Sequence, residues 1–132
     1  MTPRIDSLQE VRHDLLDLHR ALVEAERRTY ERVRGRLPDR DFLEALINDP
    51  ALAWLSALTA LIVRLDELLE VDSPEPACER EHCVGQIRNL LKPAAGATEF
   101  HHKYAEALQQ SPDVVVAHGK TMRALERAKA WT

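Results

Sequence analysis

Residues 49–63 read DPALAWLSALTALIV, and this stretch decides the fold. Its first two residues form a helix-start signal, because aspartate accepts a hydrogen bond at the N-cap and the proline ring fits the first turn. From Ala51 to Val63 nearly every residue is apolar, and only Ser56 and Thr59 interrupt the run. A helix that is apolar on all sides must be covered on most of them. The stretch therefore predicts the central helix of a bundle or a helix at a subunit interface.

The chain before this stretch predicts one long helix and one short one. Apolar residues recur there at the three- and four-residue steps of an amphipathic helix. These residues are Leu8, Val11, Leu15, Leu18, Leu22 and Ala25. We expect the long helix to run from Ile5 to Arg34, with Gly35 as the residue that follows its end. The segment Leu37-Pro38-Asp39 then interrupts the chain, and Asp41 to Ile47 predicts a short connecting helix.

The chain after the stretch carries further helical stripes. Two prolines between Val71 and Pro76 end the second predicted helix. The third predicted helix has Cys83, Ile87, Leu90 and Leu91 on one face. The sequence Pro93-Ala-Ala-Gly96 either kinks this helix or separates it from a stripe of Phe100, Tyr104, Ala107 and Leu108. Ser111-Pro112 repeats the start signal and opens a fourth helix, whose predicted inward residues are Val115, His118, Met122 and Leu125.

These stripes predict an all-α fold. Four long helices with short connections bury their apolar faces most simply as an antiparallel up-down four-helix bundle. We expect one domain over residues 1–132, with the short extra helix between helices 1 and 2 and a kink or break near Pro93. The composition agrees, because 4 glycines and 5% aromatic residues are few for a strand-rich fold.

Composition and charge argue against several classes of protein. The 132 residues are 45% apolar and carry a net charge of −4, which is not the profile of a basic nucleic-acid binder. No apolar run reaches the roughly 18 residues needed to cross a bilayer, and the first ten residues lack the apolar core of a signal peptide. Two cysteines do not make a secreted disulfide scaffold, so the expected location is the cytoplasm.

Charge is distributed unevenly along the chain. Residues 1–40 carry 9 basic and 8 acidic side chains, residues 41–81 carry 2 and 10, and residues 82–132 carry 7 and 4. We expect the acidic middle segment to face basic helix ends of this fold or of a partner. Arg27, Arg28 and Arg32 are candidates for binding a small anion, because guanidinium groups donate forked hydrogen bonds. The simpler interpretation is a solvated helix end whose charges suit the helix dipole.

Several groups of residues were weighed as metal ligands. Two residue pairs match the Glu-x-x-His motif of di-iron bundles, namely Glu79/His82 and Glu99/His102. A di-iron site needs both motifs at the same height in the bundle, and a separation of 20 residues does not place them there. Cys78, Glu79, His82 and Cys83 lie close together in the sequence. Zinc needs four converging ligands, and one turn of helix supplies only two or three of them. His13, His101 and His102 are expected to be solvated. The sequence therefore predicts no metal, no cofactor and no catalytic residue.

Two histidines lie beside apolar stripes and are the candidate site residues. His19 and Asp66 are each 16 residues from the expected top of their helices, so we expect them to form a partly buried pair. His118 is expected to bond to Tyr30 or to a backbone group. A buried imidazole needs such a partner, because an unpaired polar group costs about 1–3 kcal/mol. These residues leave open a second function, in which His19 or His118 binds a metal or haem.

The runs INDPALAWLSAL (residues 47–58), LIVRLDE (residues 61–67) and SPDVVVAH (residues 111–118) resemble an uncharacterised family of small, all-helical bacterial proteins. The resemblance covers most of the chain. It implies a bacterial, cytoplasmic, all-helical protein, and it carries over no activity, cofactor or site residue.

The function expected from the sequence is a non-enzymatic helical bundle. The apolar surface of residues 51–63 exceeds what three neighbouring helices require. We therefore expect a homodimer or a protein that binds another protein, with no membrane or nucleic-acid partner. An enzyme is the less favoured reading, because no nucleophile with a supporting base is recognisable.

Overall fold

The computed structural model describes residues 5–70, 77–92 and 98–129. These residues form six α-helices and one 3-10 helix, which confirms the all-α prediction. The elements are α1 (Ile5–Arg34), α2 (Asp39–Asn48), the 3-10 helix (Pro50–Leu55), α3 (Ser56–Leu68), α4 (Ala77–Leu91), α5 (Glu99–Gln110) and α6 (Pro112–Lys129).

Helix α1 has the predicted bounds, and glycine follows its end as expected. Gly35 has a φ of +84°, and its N–H donates to the carbonyl oxygen of Glu31 at 2.8 Å. A side chain strains this left-handed backbone conformation, whereas glycine adopts it freely. Helix α2 occupies the predicted place and is longer than predicted by two residues at its start and one at its end.

The second predicted helix is present, but it opens as a 3-10 helix rather than an α-helix. The carboxylate of Asp49 caps it, accepting from the backbone N–H of Ala51 at 2.9 Å. A 3-10 helix has three residues per turn, so Leu52 and Leu55 lie on one face, and both are buried. The apolar periodicity of this first turn therefore suits a 3-10 helix, which becomes the α-helix α3 at Ser56.

The prediction that residues 51–63 form the central helix is wrong. Helix α1 packs against α3, α5 and α6, whereas α3 packs mainly against α1 and α4. Leu58 and Leu65 of α3 are fully buried, but Ala57, Ala60 and Val63 are exposed. Exposing the small side chains of alanine and valine to water costs little free energy, so an apolar sequence of this kind does not require complete burial.

Three of the four residues of α6 predicted to point inward, His118, Met122 and Leu125, are buried or half-buried. Val114 is fully buried and Val115 is 48% exposed, so Val115 is not an inward residue. Small side chains line the contact with α1, namely Ala117, Thr121, Ala124 and Ala128. The Thr121 hydroxyl lies 3.1 Å from the carbonyl oxygen of Asp14 and 2.9 Å from that of Ala117. Small residues let the two backbones approach closely, and this contact sets the orientation of α6. The predicted burial of Leu125 is confirmed.

Helix α2 lies beside the C-terminal end of α1. Arg27 donates to Asp39 at 2.9 Å and stands 5.0 Å above the ring of Phe42. The segment 50–68 leaves α2 at an angle of 76°. In the described part of the chain no single helix is long and apolar enough to cross a membrane, although this bent pair satisfies that length and composition test together.

Helices α4 and α5 are separate elements on the two sides of Pro93. Helix α4 ends at Leu91, and Thr98 caps α5 by accepting from the backbone N–H of His101 at 3.2 Å. The question of a kink at Pro93 falls on residues 93–97, which lie outside the described residues. The ring Nε2 of His101 is 3.1 Å from the carbonyl oxygen of Asn89, which ties the start of α5 to the end of α4.

Candidate functional site

Three polar side chains of α1 at seven-residue steps meet partners on the segment 50–68. Seven residues are close to two helical turns, so the three lie on one side of α1. The partners are Asp66 for Arg12, Thr59 for His19 (Nε2 to Oγ1, 3.2 Å) and Trp54 for Glu26 (Nε1 to Oε2, 3.3 Å). We call these three contacts the polar seam. The seam fixes the level of α3 along α1.

The predicted pair of His19 and Asp66 does not form. Asp66 binds Arg12, and His19 contacts Thr59, which is seven residues or about 10 Å nearer the start of the segment. The prediction assumed that the first two long helices begin and end at one level. Helix α2 instead occupies the space beside the last turns of α1, so the segment begins lower, with Asp49 beside Tyr30.

His19 lies at the edge of a groove of about 310 Å³ between α1, α2 and the segment 50–68. Six apolar side chains form most of its wall, and His19, Ser56 and Thr59 supply the polar groups. The apolar residues are Val23, Leu46, Ile47, Leu52, Ala53 and Leu55. We call this cavity the His19 groove. Its size is at the lower end of ordinary ligand pockets, so it suits one small group.

Thr59 contacts both the His19 ring and the backbone of its own helix. Its hydroxyl lies 3.2 Å from the carbonyl oxygen of Leu55 and 3.2 Å from Nε2 of His19. The tautomer of the ring decides whether His19 donates or accepts in this contact. Partial burial lowers the pKa of His19 below its ordinary value, which favours the neutral ring.

Large apolar side chains stand in water next to the groove. Leu43, Ile47 and Val63 are 59%, 74% and 51% exposed. Leu43 and Ile47 are one turn apart on α2, while Val63 is one turn beyond Thr59 on α3. We call these three residues, with the exposed Ala60, the α2–α3 face. Ile47 also lines the His19 groove, so the α2 part of this face borders the groove.

His118 has a tyrosine partner, but not the predicted one. Its Nδ1 lies 2.6 Å from the hydroxyl of the fully buried Tyr104, within hydrogen-bond distance. The Tyr104 ring stacks on Phe100 at 5.5 Å, and Phe100 packs against Trp54 at 5.3 Å. Burial lowers the pKa of His118 and raises that of Tyr104. This pair joins α5 to α6 inside the core.

Tyr30, the predicted partner of His118, belongs to the cap of the 3-10 helix. Its hydroxyl donates to Asp49 at 2.5 Å, and Arg34 lies 3.1 Å from the same carboxylate. The hydrogen bond from Tyr30 and that from Ala51 hold the pKa of Asp49 below its usual value. The acidic middle segment therefore faces basic residues of this fold at two places, where Asp49 meets Arg34 and Asp66 meets Arg12.

Of the three arginines of the candidate anion site, Arg27 is paired with carboxylates of the chain itself. Arg27 lies 2.9 Å from Asp39 and 3.5 Å from Glu31, and it donates to the carbonyl oxygen of Leu37 at 2.7 Å. The Asp39 contact is the main reason that the pKa of Arg27 is raised. Arg28 is 3.4 Å from the Ser111 hydroxyl, and Arg32 is exposed. These contacts favour the simpler interpretation of a capped helix end.

The residues weighed as metal ligands do not converge. Glu79 binds Arg64 at 3.2 Å, while His82, Glu99 and His102 are exposed. Cys83 is buried and Cys78 is exposed. His101 is half-buried, and its ring also contacts Asn89 and Thr98. In the described residues the group of possible ligands that does converge is His13, Asp14 and Asp17, whose donor atoms lie within 4.8 Å of one another on an exposed turn of α1.

Sequence reasoning missed the importance of Thr59, Tyr104 and Ile47. Thr59 is one of two polar interruptions in residues 51–63, and that pattern was a usable signal for a polar contact inside an apolar helix. Nothing in the pattern of α2 distinguishes exposed Ile47 from buried Phe42. Comparison with protein-family models, curated proteins and solved structures finds no match to this chain.

Proposed function

We propose that this protein acts without catalysis, by binding a polypeptide at the α2–α3 face and the His19 groove. The occupant is a second copy of the chain or another protein. The observation that carries the proposal is Ile47, which is 74% exposed at the border of an apolar groove. Covering this side chain, Leu43 and Val63 removes apolar surface from water and contributes about 1 kcal/mol for each.

The proposal includes an antiparallel up-down bundle of α1, the segment 50–68, α4 and α6, with α2 and α5 as additional helices. Contacts between α1 and α6 support it, because Arg28 meets Ser111 while Glu10 meets Arg127 near the other end. In such a bundle none of the helices that the structure describes covers the outer side of α3. A helix laid along α1 and α3 would fill that space, as amphipathic helices do in apolar grooves.

The proposed location is the bacterial cytoplasm. Cys78 and Cys83 are both free thiols, and a reducing compartment keeps thiols in that state.

Site-specific photocrosslinking tests the proposed binding. The photoreactive residue p-benzoylphenylalanine replaces Ile47, Val63 or Val115 in chains expressed in cells of the source organism. Val115 is the matched control, because it is 48% exposed, like Val63, but lies on α6. We expect irradiation to give a discrete covalent product from positions 47 and 63 and none from position 115. Equal yields at all three positions would contradict the proposal.

The mass of the product identifies the occupant. A product of twice the chain mass assigns the face to a second copy, and any other mass assigns it to a partner protein. Light scattering at micromolar concentration gives an independent measure. If a second copy binds, the Ile47→Asp variant is expected to have the mass of one chain, whereas the wild-type protein and Val115→Asp have twice that mass.

A further inference from the structure

Leu52 of the 3-10 helix is an apolar side chain that is buried outside the core. It is 2% exposed, yet it is not a member of the apolar cluster that forms the core. Helix α2 packs against the 3-10 helix, and Leu46 and Ile47 of α2 line the His19 groove together with Leu52. We therefore attribute the burial of Leu52 to α2, which lies over this part of the groove.

Arg27 of α1 holds the N-terminal end of α2. Its guanidinium lies 2.9 Å from Asp39, the first residue of α2, and donates to the carbonyl oxygen of Leu37 at 2.7 Å. The same group stands 5.0 Å above the ring of Phe42, the buried residue of α2. We call these three contacts the Arg27 latch. They are mostly polar, so loss of one side chain releases this end of the helix.

The C-terminal end of α2 is anchored independently of Arg27. Asp49 follows α2 directly, and its carboxylate accepts from Tyr30 at 2.5 Å and lies 3.1 Å from Arg34. Because Phe42 and Leu52 both lie outside the core cluster, moving α2 away leaves that cluster packed. Helix α2 can therefore turn about Asp49 at a lower cost in free energy than unfolding of the core.

We infer that α2 is a lid on the apolar binding surface, and that the Arg27 latch sets how often the lid opens. With α2 closed, as in the structure, an occupant meets the α2–α3 face and the groove but not Leu52. When α2 turns away, Leu52 joins the apolar surface and an occupant gains this contact. The inference rests on the proposed function and adds a form of regulation at the same site.

Thiol labelling of the protein alone measures opening of the lid. Leu52→Cys places a thiol under α2, and Cys78→Ser removes the exposed natural thiol. The natural thiol of Cys83 is 1% exposed in the core, so it reports opening of the whole fold. Mass spectrometry follows the reaction of both thiols with N-ethylmaleimide. At low reagent concentration each rate follows the population of the open form.

Two arginine variants separate the latch from a general loss of positive charge. Arg27→Gln is expected to speed labelling at position 52 about three- to tenfold, the range for one net hydrogen bond, and to leave labelling of Cys83 unchanged. Arg20→Gln is the matched control, because Arg20 is an exposed arginine whose carboxylate partner, Asp17, is also on α1. It is expected to change neither rate. Each variant is first checked for wild-type helical content by circular dichroism.

Three results would overturn the inference. They are an unchanged labelling rate at position 52 in Arg27→Gln, equal acceleration at position 52 and at Cys83, and an equal effect of Arg20→Gln. These failures are distinct from failure of the proposed function, because photocrosslinking from positions 47 and 63 involves no thiol. Crosslinked products without faster labelling in Arg27→Gln would remove the lid and leave polypeptide binding in place.

Discussion

His19 and His118 are half-buried imidazoles that each bond to a hydroxyl on a neighbouring helix. The partner of His19 is Thr59 on α3, and the partner of His118 is Tyr104 on α5. Sequence position indicated that both rings lie beside apolar stripes and need partners. It did not indicate which partners they have, because sliding one helix along its neighbour by one or two turns brings a different side chain opposite the histidine. That shift depends on where α2 and the caps place each helix.

Both rings make the stability of the fold depend on pH. Burial lowers the pKa of His19 and of His118 from the ordinary value of 6.5. As the pH falls below that value the unfolded chain binds a proton first, so the free energy of unfolding falls until the folded rings also titrate. Between pH 7.5 and pH 5.5 the loss is at most about 1.4 kcal/mol per histidine, and half-exposure keeps it below that bound.

Chemical denaturation of the variants checks this expectation. The variant with His19→Gln and His118→Gln should lose little stability between pH 7.5 and pH 5.5, because neither position titrates. Glu31 and Asp49 have lowered pKa values in the folded protein, so these carboxylates stabilise it until the pH falls below about 4.5. This pH range is separate from the range in which the two histidines titrate. A loss in the double variant equal to that of the wild-type protein would refute the assignment to these two rings.

At the scale of elements, start and stop signals predicted α1, α2 and α6 because capping chemistry is local. Asp49, Gly35 and Ser111 act within a few residues of the helix ends that they define. The 3-10 helix was not predicted, since the apolar residues at positions 52 and 55 suit both a 3-10 and an α-helix. One predicted inward residue of α6, Val115, is exposed because the neighbouring Val114 takes the buried position.

Two glycines give a matched prediction about helix ends and helix interiors. Gly35→Ala is expected to destabilise the protein by about 1 kcal/mol, because its φ of +84° strains a residue with a side chain. Gly85→Ala is expected to stabilise it by about 0.5–1 kcal/mol, because Gly85 is inside α4 and an added Cβ meets nothing within 4 Å. Urea unfolding of both variants measures the two shifts. Shifts of the same sign would contradict the reasoning.

At the scale of the whole molecule, one apolar cluster forms the core. Every described element except α2 contributes buried side chains to it. Phe42 is the buried residue of α2, and it packs against Tyr30 and Arg27 rather than against that cluster. Leu46 of α2 reaches the cluster only as a partly buried side chain. Helix α2 is therefore a small unit that packs against the 3-10 helix and meets the end of α1 through side chains, and we expect it to open without exposing the core.

Amide hydrogen exchange is the measurement that tests the independence of α2. We expect its amides to exchange faster than those in the middle of α1. Phe42→Ala should speed exchange in α2 while changing the most protected amides little, because it removes contacts made only at this end. Leu58→Ala is the comparison, and loss of this fully buried side chain should cost about 2–5 kcal/mol and lower protection throughout. A uniform effect of Phe42→Ala would show that α2 belongs to the core.

The sequence alone determined that this chain is helical, where α1 begins and ends, where the 3-10 helix and α6 begin, and which side of α1 is buried. Periodicity and caps act over one or two turns, so they are readable without a partner. The tertiary structure decided that His19 meets Thr59, that Asp66 meets Arg12, and that Ile47 and Val63 stay in water. These outcomes depend on how far one helix slides along another, and that distance is set by packing between elements remote in the chain.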